Sequence, residues 1–192
     1  MLLRPHRLED REGCLAAFDS NVPAFFAPSE RSSYVEYLDE MLPRSGVRQL
    51  VLQAPDGAIV ASGGVGLRDG EARMCWGIVR ASHHRRHLGE CFLLARLLLG
   101  AAAGADRAGL DTIPKTTQFF ARYGFVIVRE QDDGYGPGIH RRDMCVTLDL
   151  ARVAALRSAF ATTCAGLGVQ LDQTLAGSLV QPPAIFSDDW EV

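Results

Sequence analysis

Val79-Arg-Ala-Ser-His-His-Arg-Arg-His-Leu-Gly-Glu90 joins the end of a β-type run to a long apolar helical run through a basic turn. A helix N-terminus exposes backbone N–H groups that lack carbonyl partners and carries the positive end of the peptide dipole. Arg85 and Arg86 stand beside that terminus. The combination predicts an anion site suited to a pyrophosphate, held by the amides from Arg85 to Glu90.

Outward from this turn, the apolar positions Cys91, Phe92, Ala95, Leu98, Leu99 and Ala102 recur at helical spacing, and Leu93, Leu94 and Leu97 widen the face. The spacing predicts a largely buried helix from Leu88 that ends near Gly104. Upstream, Gln49 to Gln53, Ala58 to Val65 and Glu71 to Val79 are β-type runs. The turns Pro55-Asp56-Gly57 and Arg68-Asp69-Gly70 separate them, which predicts a three-stranded antiparallel meander. Before it stand a short strand over Leu2 to Arg4, a helix carrying Cys14, Leu15 and Phe18, and a second helix carrying Tyr34, Tyr37, Leu38 and Met41, with Ser29 as its N-cap. Downstream the pattern predicts a strand over Ala108 to Thr112 and a compact helix over Thr116 to Tyr123 stopped by Gly124. Two final strands follow, Phe125 to Arg129 and Met144 to Leu148.

This order makes one α/β layered domain over residues 1–149. Residues 150–192 form an appended segment: a helical stripe of Val153, Leu156, Phe160, Cys164 and Leu167, then about twenty polar, proline-containing, irregular residues. An apolar stripe of this kind needs a cover. Docking on its own domain is the expectation, with packing on a second subunit as a homodimer the alternative. Reach into an acceptor cleft is a further role open to it.

Composition narrows the function. The chain has 192 residues, 47% of them hydrophobic, and a net charge of −3. It has enough apolar residues for a real core, and its basic cluster is local, which argues against nucleic acid as a partner. The five cysteines are scattered with no C-x-x-C pair, so reduced, buried thiols are expected. Arg96 and Gly100 interrupt the longest apolar run, around Cys91 to Ala103, so no membrane partner is expected. The charged N-terminal stretch lacks the apolar core of a signal peptide, and the expected location is the cytoplasm.

Other chemistries fit less well. His84 and His87 fall on one helical face, but Arg85 and Arg86 repel a cation and no acidic or cysteine ligand is near, so no metal is expected. Cys75 and Cys145 lie in strand-like runs where thiols pack rather than attack. Phe25, Phe26, Phe119 and Phe120 read as core aromatics. Tyr135 differs, because the turn Asp133-Gly-Tyr-Gly-Pro-Gly138 gives it few neighbours and leaves it available for chemistry.

The element order and two motifs resemble the GNAT superfamily of acetyl-CoA-dependent N-acetyltransferases over roughly Leu2 to Asp149. In that family the fourth strand runs into a Q/R-x-x-G-x-G/A loop that holds the CoA pyrophosphate. Here His84-Arg85-Arg86-His87-Leu88-Gly89 takes its place, and only Gly89 matches outright. Phe119-Phe120-Ala121-Arg122-Tyr123-Gly124-Phe125 is similar to the family's F-Y-x-x-x-G-F stretch. Two further segments, SNVPAFFAPSER and DGYGPGIHRRDM, look like those of little-characterised bacterial members.

The resemblance implies a mixed, mostly antiparallel central sheet flanked by helices, with acetyl-CoA as co-substrate. It implies transfer of an acetyl group to a primary amine of a small molecule, peptide or protein. The implied donor contacts are Ile78, Val79, His84, Arg85, Arg86, His87, Leu88, Gly89, Glu90 and Phe120. His87 fits there only if helical geometry turns its ring away from the phosphate. The family's usual acid is the tyrosine at the position of Phe120, which cannot donate, so Tyr135 or Tyr123 is the candidate phenol. Glu71 and His140 are candidate bases. The rival readings are a non-catalytic acyl-CoA-binding or regulatory domain, favoured by Phe120 and the degenerate loop, and an unrelated phosphate-binding or interaction domain.

Overall fold

The structure, a computed structural model, describes residues 1–180. Eight strands form one sheet: β1 (Leu2–Pro5), β2 (Arg48–Gln53), β3 (Ile59–Arg68), β4 (Glu71–Val79), β5 (Arg107–Thr112), β6 (Val126–Gln131), β7 (Arg141–Thr147) and β8 (Gln170–Leu171). They lie in the order β6-β7-β5-β4-β3-β2-β1-β8, antiparallel except at β4–β5 and β1–β8. The meander β2–β3–β4 forms as its alternation and turns predict.

Two layers of helix cover the sheet. On one face α1 (Arg11–Asp19), α2 (Glu30–Glu36) and the π-helical turn Tyr37–Met41 that continues it bury Cys14, Phe18, Tyr34 and Tyr37 against Val51, Ile59 and Ile78. On the other face α3 (Leu88–Ala102) lies between the sheet and α5 (Leu150–Leu167), which explains why α3 is apolar nearly all round. The α5 stripe is covered by its own chain: Leu156, Phe160 and Cys164 are buried in the core they share with Leu94, Leu97 and Leu98.

Some local expectations change. Ser29 makes no side-chain cap; the carboxylate of Glu30 instead accepts from the Ala27 N–H at 2.6 Å. The compact helix is shorter than predicted, with a 3-10 turn over Pro114–Thr116 followed by α4 (Thr117–Ala121). Gly124 then takes φ +87°, the left-handed conformation that favours glycine.

The segment after Asp149 is better ordered than its sequence suggests. The Asp149 carboxylate caps α5 by accepting from Arg152 N–H at 2.7 Å, and Gly168 ends the helix in the left-handed region. β8 then adds a parallel edge strand to β1, and α6 (Gln173–Val180) buries Leu175 and Leu179 in the core shared with α3. The expected irregular tail is therefore helical over 173–180, and its remainder, 181–192, lies outside the described residues. Among the described residues no helix is long and apolar enough to cross a membrane.

Candidate active site

β4 and β5 pair only at Glu71↔Arg107, Ala72↔Ala108 and Arg73↔Gly109, then part, although β4 runs on to Val79 and β5 to Thr112. A bulge in β4 accompanies the split. Gly64 faces Cys75 and Ser62 faces Ile78, so the extra β4 residue is accommodated around Trp76, whose φ is +46°. The side-chain alternation flips there. Ala72 and Met74 point into the α3 core, Cys75 and Trp76 both join the α1–α2 cluster, and Ile78 faces that cluster too, while Val79 packs on the α3 side. The Trp76 ring is anchored among Tyr34, Tyr37, Phe18 and Phe26, with centroids 4.9–6.3 Å away. Gly77 is left exposed on the unpaired stretch.

At the Val79 end of the split stands the α3 N-terminus. The first α3 amide with a carbonyl partner is that of Cys91, on His87 O at 3.2 Å, so the amides of Leu88, Gly89 and Glu90 remain free for an anion. Arg85 and Arg86 are exposed beside them. A Cβ on Gly89 would make only ordinary contacts, 3.7 Å from Phe119 and Val79. His87 is not helical as expected. It occupies the left-handed region at φ +59°, as does Arg85 at +58°, and its exposed ring turns to Glu90 Oε2 at 3.1 Å. His84 turns inward instead: its Nε2–H donates to Val79 O at 2.8 Å and its ring packs edge-on against Phe25. Asn21 Nδ2 donates to the same carbonyl at 2.9 Å.

Across the split, on the α1–α2 face, Tyr135 donates its hydroxyl proton to Asp111 Oδ2. Burial, and then the Asp111 carboxylate, hold this phenol well above its usual range, so it stays protonated at neutral pH. Asp111 lies on β5 beyond its pairing with β4, opposite Asp143 of β7, with Arg141 at 3.6 Å and Arg73 at 3.7 Å. The open end of the split is bridged by Lys115, which donates to Ala24 O at 3.4 Å and sits 4.2 Å from the Phe25 ring centroid.

Many solved structures share this architecture, and the three described here are all acetyltransferases. A GNAT-family acetyltransferase from Staphylococcus aureus Mu50 superposes with a TM-score of 0.62 at 16% identity, over 77% of this chain and 98% of that one. The ribosomal-protein-S18-alanine N-acetyltransferase of Escherichia coli gives 0.65 at 12%, over 77% and 94%. A phosphinothricin acetyltransferase from Sinorhizobium meliloti, solved with AcCoA, gives 0.62 at 13%, over 76% and 87%. The chain has the GNAT fold. No protein-family model and no curated protein sequence matches it.

Within the GNAT fold the candidate residues separate. Gly89, Leu88, Glu90, Arg85, Arg86 and His87 gather at the head of α3 as expected. Ile78 and Val79 lie on the unpaired edge, but Ile78 is buried toward α1 and the Val79 carbonyl already accepts two hydrogen bonds. Phe120 packs edge-on against Phe119 and Phe125 beside the core and brings no proton donor. Tyr123 faces Glu90 at the anion end, where burial and that carboxylate push its phenol up to about 12; it sits away from the Tyr135–Asp111 pair. Glu71 lies where β4 and β5 are still paired. Its oxygens accept from Arg73 and Arg107, each at 2.9 Å. Burial raises its carboxyl, but those two arginines outweigh burial and hold it below the ordinary range, which suits a structural ion pair and not a base. In the β6–β7 turn His140 Nδ1 accepts from the Asp133 N–H at 3.3 Å, with Asp132 Oδ1 also 3.3 Å away. Cys75 is half-buried against the α1–α2 cluster with its thiol raised by desolvation, so it packs. Among the described residues no group of acids, histidines or cysteines could hold a metal.

The sequence reading passed over Asp111, Arg73 and Arg141. Asp111 carried one signal, an acid inside a short apolar strand, and its partners came from residues 38 positions upstream and 30 downstream only through folding.

Proposed function

We propose that this protein is a CoA-dependent N-acyltransferase that moves an acetyl group from acetyl-CoA to a primary amine of a small molecule, peptide or protein. The observation that carries the reading is the split between β4 and β5, with the free amides of Leu88, Gly89 and Glu90 at its head. A pyrophosphate fits those amides and the flanking Arg85 and Arg86, and a pantetheine arm fits the unpaired edge of β4. The attacking amine must be unprotonated, and its proton must leave as the new C–N bond forms. Asp111 is the carboxylate on the acceptor side, able to attract an ammonium ion and pass its proton to solvent. Tyr135, protonated and aimed at Asp111, orients that carboxylate and supplies the phenol that Phe120 lacks. A thiolate leaving group needs little help from an acid, so the absence of tyrosine at Phe120 is compatible with turnover.

The five cysteines are free thiols, in keeping with a place in the reducing cytoplasm. A non-catalytic acyl-CoA-binding domain is the second reading, favoured by Phe120 and by the occupied Val79 carbonyl. Two measurements test the proposal. Gly89→Val should weaken acetyl-CoA binding by at least about tenfold, by crowding the phosphate, while leaving the melting temperature within a few degrees, since the site has room for a Cβ. Unchanged affinity by calorimetry overturns the cradle. Release of free CoA with a panel of amines, lowered strongly by Tyr135→Phe, supports catalysis; no release with any amine, despite binding, favours the second reading.

A further inference from the structure

The core holds two buried arginines, and they are treated differently. Arg4, 3% exposed, forks onto both oxygens of Asp10 at 2.6 and 2.7 Å. Arg96 on α3, 5% exposed, has no carboxylate partner among the described residues; its one hydrogen bond to them is a long one from Nε to the Phe92 carbonyl at 3.4 Å, and its guanidinium lies 5.1 Å from the Phe92 ring centroid. The titratable groups that act on it, the Tyr37 hydroxyl and the Cys75 thiol, belong to the α1–α2 cluster across the sheet, and neither is charged. Burial pushes its pKa down to about 10, which leaves it fully cationic at neutral pH. An unpaired buried charge is costly to keep, and an anion that pairs with it removes part of that cost.

The position of Arg96 says where that anion would lie. Its Nη1 and Nη2 sit 3.0 and 2.8 Å from where a Cβ of Gly77 would be, and Nη1 is 3.0 Å from that of Gly63. The missing side chains of two glycines make the space. Gly77 is the exposed residue of the β4 bulge, so the guanidinium underlies the unpaired stretch beside the split. Arg96 comes from α3, the helix whose head forms the anion cradle, and it stands about 12 Å along that helix from Leu88. A donor lying from cradle to bulge therefore runs toward it, whereas Asp111, Tyr135 and Arg73 occupy the other face.

Resting on the CoA-dependent acyltransferase reading but replacing acetyl as its acyl group, we infer that Arg96 is an anion receptor at the acyl end of the split, and that the preferred donor is a CoA thioester whose acyl chain ends in a carboxylate. The transfer itself is unchanged: the amine nitrogen bonds to the thioester carbon, the C–S bond breaks, CoA leaves as thiolate and the amine proton passes to solvent. The distal carboxylate stays ionised on Arg96 throughout.

The test is calorimetric binding of CoA, acetyl-CoA, malonyl-CoA and succinyl-CoA to the parent protein, Arg96→Met and Arg96→Lys. Malonyl- or succinyl-CoA should bind the parent at least tenfold more tightly than acetyl-CoA. Arg96→Met should erase that preference while leaving acetyl-CoA within about threefold of the parent, and Arg96→Lys should keep part of it. Equal affinity of the parent for charged and neutral acyl chains, a measurement that needs no variant, overturns this inference and leaves the acyltransferase reading standing. A preference that survives Arg96→Met also overturns it. No binding of any of the four ligands removes both readings together.

Discussion

Arg85 and His87 hold left-handed backbone next to the amides that would receive a phosphate. Such a conformation costs an L-residue with a Cβ roughly 1–2 kcal/mol, and glycine almost nothing. His87→Gly should therefore raise stability by up to about 1 kcal/mol, or a melting temperature about 2–4 °C higher for a chain of this size, and open the loop to tighter acetyl-CoA binding. A lower melting temperature together with weaker binding would show that the His87–Glu90 contact matters more than the strain. This pair of residues also shows where sequence reading stops. Gly89 was legible because a glycine opening an apolar helix beside arginines has few other uses. The strain at His87 was hidden, because glycine normally advertises positive φ and here none is present. Arg96 was visible only as the charge that interrupts an apolar run.

Elements defined by local chemistry were read almost to the residue. β4 spans Glu71–Val79 and α3 spans Leu88–Ala102, because the Asp69-Gly70 turn and the unbroken apolar spacing fix their ends. The split between β4 and β5 was not legible in the two strands themselves, since pairing between residues 36 apart leaves no periodic trace. β8 and α6 escaped for different reasons. A two-residue strand has no period, and Gly177 and Ser178 blur a short helix. Their weight is considerable nonetheless, because Leu175 and Leu179 are each 2% exposed. Burial of a leucine side chain contributes about 1.5–3 kcal/mol, so a chain ended at Gly168 should lose about 4 kcal/mol in urea unfolding. A chain ended at Val180 is the control, and equal stability of the two would show that β8 and α6 do not support the core.

For the molecule as a whole, the Arg4–Asp10 pair ties β1 to the start of α1, and Asp10 accepts a third hydrogen bond from the Arg7 N–H at 2.8 Å. Burial raises the Asp10 carboxyl, but the hydrogen bonds and charge of Arg4 and the Arg7 amide outweigh it and hold it below the ordinary range. A carboxyl depressed in the folded state stabilises above its unfolded value, near 3.9, and that contribution is lost as pH falls through the folded value. Asp10→Asn should cost about 3 kcal/mol at pH 7 by leaving Arg4 unpaired, and its stability should fall less between pH 5 and pH 2 than that of the parent. Parallel acid profiles would assign the acid sensitivity to other carboxylates. Lys115 has a consequence of another kind. It is the only lysine in 192 residues, and it bridges the mouth of the split to Ala24 and Phe25. An amine-directed label therefore has one side-chain address on this molecule, and the rate at which that address reacts, with and without a donor bound, reads how far a donor shields the mouth.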